Sequence, residues 1–217
     1  MFDLSAFRAC EKYFSQPHAE SFELLHGTGA VMLSAPHSAA QTRNGRVKVF
    51  EPQTGALARL LHQTLGCPVI YKTRNCGDDA NYDYDSPYKR ALCDYVKQNG
   101  ILLLLDLHQL APHRDVMIDV GTGKMKHVVR QDLLDETVRA FSSRLSGTVA
   151  LDVPFNASSP RTVSSCVFSE CGITALQIEI NSSLVWSSGG DASPQIVFDA
   201  LAEIVQRISN NQRDGAV

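Results

Sequence analysis

Residues 101–105 read Ile-Leu-Leu-Leu-Leu, and this run constrains the fold more than any other stretch of the chain. Five consecutive apolar residues leave no side for water, so the run fits a central strand covered on both faces by helices. Further runs at 30–34, 68–72, 116–120, 149–153 and 175–180 also read as strands. Helical patterns alternate with them. Glu51-Pro52 opens one in which Leu57, Leu60, Leu61 and Leu65 share a face, closed by Gly66. Ser86-Pro87 opens another, because serine caps well and proline suits the first helical position. Residues 132–145 follow the helical pattern, and residues 194–208 place Ile196, Val197, Ala200, Leu201, Ile204, Val205 and Ile208 on one side. Alternation of this kind predicts a three-layer α/β/α sandwich. No repeat, low-complexity segment or linker divides the 217 residues, so 1–217 reads as a single domain.

Charge narrows the functional classes. Twenty basic against 23 acidic side chains give a net charge of −3, which argues against nucleic acid or a membrane surface as partner. No apolar run reaches the length of a membrane span, and the start Met1-Phe2-Asp3-Leu4 lacks a basic segment and apolar stretch, so the expected compartment is the cytosol. Six cysteines are scattered without a Cys-x-x-Cys pair, which removes support for a thiolate zinc site. Gly121-Thr122-Gly123-Lys124 lacks phosphate-loop spacing, the pair Ser164-Ser165 suggests a loop, and no Gly-x-Ser-x-Gly elbow is present.

The residues suited to chemistry stand where strands end, as sites in open α/β sheets do. His37 follows the first strand, and His108 follows the central one in Asp106-Leu107-His108. Glu179 lies in the apolar strand Gln177-Ile178-Glu179-Ile180-Asn181, where a carboxylate costs free energy unless paired or functional. Glu51 precedes Pro52 and the first long helix. Two neutral imidazoles and a carboxylate suit zinc with a fourth position open, and a further carboxylate is then needed to move protons. Asp106, two residues before His108, shares its strand face and is placed to orient the imidazole. Singly, each has an ordinary reading: a structural histidine, a glutamate favoured by the helix macrodipole, a paired strand carboxylate. The combination is what favours a metal site.

Five motifs then occur in order. Ser34-Ala35-Pro36-His37-Ser38, followed by an acidic residue opening a helix, resembles the zinc motif of the N-formylglutamate amidohydrolases. The stretch Arg74-Asn75-Cys76-Gly77-Asp78-Asp79-Ala80-Asn81 is similar to that family's arginine- and asparagine-bearing loop. Ser86-Pro87-Tyr88-Lys89-Arg90 resembles its Pro-Tyr-Arg helix start, Asp106-Leu107-His108 its Asp-Leu-His segment, and residues 176–181 its Gln-Ile-Glu-Ile-Asn strand. The resemblance runs from about residue 30 to residue 186. It implies a hydrolase fold like that of zinc carboxypeptidases, with a mixed sheet of about eight strands flanked by helices. It also implies one zinc ion on His37, Glu51 and His108, with Glu179 as general base and later acid. By the same resemblance Arg74 joins Glu179 in the catalytic set, while Arg90, Asn81 and Arg161 bind substrate, since a guanidinium fork suits a carboxylate. The segment from His37 to Glu51 departs from the family: it carries Arg43, Arg46 and Lys48 in place of a small glycine-containing turn.

The expectation is a zinc-dependent amidohydrolase acting on a small N-acylated amino acid such as N-formylglutamate. A carboxypeptidase-like peptidase or γ-glutamyl (polyglutamate) hydrolase is the alternative on the same fold. A metal-free binding protein with structural histidines is a third reading, opposed by the presence of both histidines and both glutamates.

Overall fold

The structure is a computed structural model that describes residues 1–186 and 193–214. At its centre the apolar run becomes β6 (Leu103–Leu110), flanked in parallel by β2 (Val31–Ala35) and β9 (Thr174–Asn181). Outside β2 lie β5 (Val69–Lys72), parallel to it, and β1 (Phe22–Leu25), antiparallel at the edge. On the other side β7 (Val116–Gly121) runs antiparallel to β9, and β8 (Thr148–Leu151) closes the sheet parallel to β7. The seven-stranded order is β1-β5-β2-β6-β9-β7-β8. The sheet is mixed as expected, with seven strands where the resemblance implied about eight.

Helices cover both faces. Cluster packing places α1 (Leu4–Tyr13), α2 (Pro52–Leu65), α4 (Gln131–Ser142) and α6 (Ser193–Asp214) over Leu103, Leu105, Leu107, Ile178 and Ile180. On the opposite face α3 (Pro87–Gln98) and α5 (Val163–Cys171) cover Met32, Ile70, Leu104 and Ala175. The end signals act locally as read. Ser86 Oγ accepts from Lys89 N at 3.2 Å, and Gly66 ends α2 at φ 68°, a left-handed conformation that costs glycine little.

Two regions differ from expectation. Ser164-Ser165 lies inside α5: Thr162 caps that helix by accepting from Ser165 N, and Val163 and Val167, one turn apart, bury its inner face. The segment between His37 and Glu51 forms a separate hairpin, β3 (Gln41–Arg43) with β4 (Arg46–Lys48), turning through Asn44 and Gly45 at positive φ.

Candidate metal centre and its cavity

The parallel strands β2, β6 and β9 deliver their C-terminal ends to one edge. Register places His108 beside Glu179 and Asp106 beside both Ser34 and Gln177. His37 sits two residues beyond β2, in a turn pinned by Ser38 Oγ, which donates to Ala35 O at 2.8 Å and Lys72 O at 2.6 Å. Gly55 of α2 permits the close approach of that turn: a Cβ there would lie 2.5 Å from Ser38 Cβ and 2.4 Å from Phe14. Glu51 is tied to the same turn, its backbone N–H donating to His37 O at 2.7 Å.

Although Glu51 stands at the helix N-cap, its side chain makes no capping hydrogen bond. Its carboxylate turns inward: Oε1 lies 3.4 Å from His37 Nδ1, and Oε2 lies 3.9 Å from His108 Nδ1 while accepting from Gln109 N at 3.0 Å. The two Nδ1 atoms are 3.2 Å apart, with the rings at 78°. One donor atom from each of His37, Glu51 and His108 falls within 4.8 Å of the others.

The far sides of both rings meet carboxylates. His37 Nε2 is 3.1 Å from Asp79 Oδ1, and His108 Nε2 is 3.1 Å from Asp106 Oδ2. A carboxylate can only accept, so each ring places its proton on Nε2 and turns the Nδ1 lone pair toward the other. Three acceptors then converge on one point, which fits a cation. The surroundings favour positive charge here: burial opposes it on His37, yet the Glu51 and Asp79 carboxylates outweigh burial and raise the ring to about 10. At neutral pH Nδ1 therefore carries a proton that a cation must displace before the lone pair is free. Asp106 is held in turn by Ser34 Oγ, donating at 2.7 Å. Asp79 is held by Arg43, whose Nε donates at 2.9 Å. Beside His108, on β9, Glu179 accepts from Gln177 Nε2 at 2.8 Å, and burial pushes its carboxyl up to about 7 despite the pull of His108.

These groups open on a cavity of about 780 Å³ whose lining includes His37, Glu51, His108, Glu179, Asn81 and Arg43. Of the residues singled out in the sequence, the structure thus brings His37, Glu51, His108, Glu179 and Asn81 together. Asn81 spends its Oδ1 on Val163 N at 2.8 Å, fixing the start of α5. Arg161 lies at the edge of the site, its guanidinium 4.8 Å from the centroid of Tyr82, a cavity residue, and 4.5 Å from that of Tyr84. Arg74 and Arg90 do not line the cavity. Arg74 is exposed in the loop after β5. The Ser86 cap sets the phase of α3 so that Lys89 is buried, donating to Asp83 O and Arg161 O, while Arg90 is exposed and pairs with Asp85.

Two contributors carried no expectation: Asp79, and Arg43 of the hairpin, whose guanidinium lies 4.7 Å from the Tyr82 centroid. Spacing cannot separate Asp79 from Asp78, which instead pairs with Lys72 at 2.8 Å. The departure from the family pattern between His37 and Glu51 was the available signal for Arg43.

The sequence matches no family model and no curated protein. The structure does match solved ones. It is similar to the N-formylglutamate amidohydrolase of Ralstonia eutropha (TM-score 0.58, 14% identity, 90% of this chain and 99% of that one). Likewise it resembles a metallo-carboxypeptidase from Burkholderia cenocepacia (0.53, 12%, 94% and 69%). A bacteriophage poly-gamma-glutamate hydrolase is comparable (0.52, 12%, 94% and 94%). The chain therefore has the metallo-carboxypeptidase-like α/β/α fold. More particularly, it has the form of that fold found in the Ralstonia N-formylglutamate amidohydrolase, nearly the whole of which it matches.

Proposed function

We propose that the chain is a zinc-dependent amidohydrolase that cleaves the amide bond of an N-acylated amino acid. The observation that carries this reading is the convergence of His37 Nδ1, His108 Nδ1 and the Glu51 carboxylate, with Glu179 beside His108 on the neighbouring strand and lining the same cavity. His37, Glu51 and His108 would hold the ion. When bound in such a donor set, zinc supplies Lewis acidity and lowers the pKa of a water molecule to roughly 7.

Glu179 takes the proton of the attacking water and passes it to the leaving nitrogen. A carboxyl held near neutrality by burial suits both halves of that transfer. Gln177 steadies Glu179 through its amide N–H, and Asp79 and Asp106 keep both imidazoles in the ligating tautomer. Lys48, exposed on the hairpin, and Arg43, whose guanidinium is already paired with Asp79 on one side, are the basic groups of the cavity and suit the carboxylate of the amino-acid half of the substrate. The volume of the cavity favours, as a second reading, a short peptide or γ-glutamyl chain in place of a single acylated residue.

The test is amine release from N-acyl glutamates and short γ-glutamyl peptides by zinc-loaded protein. Release that chelation abolishes is expected. No release from any of these substrates by protein of verified zinc content would contradict the reading.

A further inference from the structure

Glu51 has a second side. Beyond it lies another recess, of about 440 Å³, which shares Val49, Glu51 and Gln109 with the larger cavity. Its remaining walls are mainly Phe50, Pro52, Leu110, Pro112 and Trp186. Among the described residues Glu51 is the only ionisable side chain that lines it. Val49, Phe50 and Trp186 are 85%, 39% and 41% exposed, so three large apolar side chains stand open to water at one place. Scattered apolar residues on a surface are ordinary; a group of them at the rim of a site marks something to be covered. The same recess is lined by Ser182, whose buried Oγ has no hydrogen-bond partner among the described residues.

The two hollows differ in chemistry as the two ends of an acylated amino acid do. The larger one holds Arg43 and Lys48 and suits the carboxylate end. Among the described residues the smaller carries no ionisable group but Glu51 and is mainly apolar, with Gln53, Gln109 and Ser182 as its other polar groups. A formyl group, having no carbon beyond its carbonyl, would leave it empty. We infer that this recess is the subsite for an apolar acyl group, aliphatic or aromatic, carried on the far side of the scissile amide. The preferred substrates are then N-acyl amino acids with several acyl carbons. This inference rests on the hydrolase reading, and Trp186, the only tryptophan of the chain, gives it an independent readout.

The experiment titrates the Glu179→Gln protein with N-formyl-, N-butanoyl-, N-hexanoyl- and N-phenylacetyl-glutamate while Trp186 emission is followed. Burial of each methylene gives about fourfold tighter binding, so hexanoyl, with five carbons more than formyl, should bind on the order of a thousandfold more tightly if all are buried and at least about sixtyfold if three are, with a saturable change in emission. Phe50→Asp, and Pro112→Ser on the exposed loop as a second variant, should flatten this dependence on chain length. Equal affinity across the series, or no saturable change, overturns the subsite. Zinc-loaded wild-type protein assayed on the same compounds separates the two readings. Equal kcat/KM for formyl and hexanoyl compounds overturns the subsite and leaves the hydrolase standing. Chain-length-dependent binding without hydrolysis of any member keeps the subsite and overturns the hydrolase.

Discussion

At their N-terminal ends β6 and β9 set Leu103 against Thr174, Leu104 against Ala175 and Leu105 against Leu176. At their C-terminal ends the same two strands set Asp106 against Gln177 and His108 against Glu179. On the face covered by α3 and α5 the apolar layer stops at Leu104 and Ala175, and the next two pleats carry the polar groups. The other face stays apolar from Leu105 and Leu176 through Leu107, Ile178 and Ile180. Burying a large aliphatic side chain contributes roughly 1.5–3 kcal/mol, whereas a buried polar group costs free energy unless it is hydrogen-bonded. One end of the strand pair therefore supplies stability, and the other spends part of it to hold charge in fixed geometry. Ser34, Gln109 and Gln177 limit that cost by satisfying Asp106, Glu51 and Glu179.

Substitutions at the two ends should separate these roles. His108→Ala has the largest expected effect: metal binding and turnover fall below detection together, as measured by metal content and amine release. If activity survived it, the polar end would not be the centre of the chemistry. Glu179→Gln should retain the metal and lose about 10²- to 10⁴-fold in kcat, the span of a general base. Near-normal kcat would remove Glu179 from that role. Asp106→Asn and Asp79→Asn should each weaken zinc binding by roughly 10- to 100-fold in competition with a chelator, since each carboxylate holds the far side of one of the two imidazoles. Smallest in its effect on the site is Leu176→Ala at the apolar end. It should lower unfolding free energy by about 2–5 kcal/mol in denaturant titration, yet leave zinc stoichiometry unchanged in the folded protein. A lost metal in that variant would show that the two ends are not separable.

The apolar end was the easier to read. A run such as 101–105 permits few environments, and period, caps and terminal glycine locate β6, α2 and α3 with little help from the rest of the chain. Amphipathic spacing in a serine-rich stretch was harder: α5 is held by Val163 and Val167 among residues that read as loop. At the polar end, strand termini pointed to His37, His108 and Glu179, because a polar residue at the end of a buried strand must have a partner. Partners contributed by loops left no such trace. Asp79 and Arg43 meet only because the hairpin folds back over the loop after β5, a contact made 36 residues apart in sequence. Arg74 and Arg90 sit in suitable motifs, but local backbone geometry turns their side chains to solvent.

Three acceptor atoms, on His37, Glu51 and His108, converge within 4.8 Å of one another in the arrangement a cation needs. Elemental analysis of the purified protein after incubation with zinc and removal of the excess, alongside His37→Ala treated identically, tests it most directly. About one zinc per wild-type chain and almost none in the variant is the expected result. Equal zinc in both proteins, or none in the wild type, would contradict it.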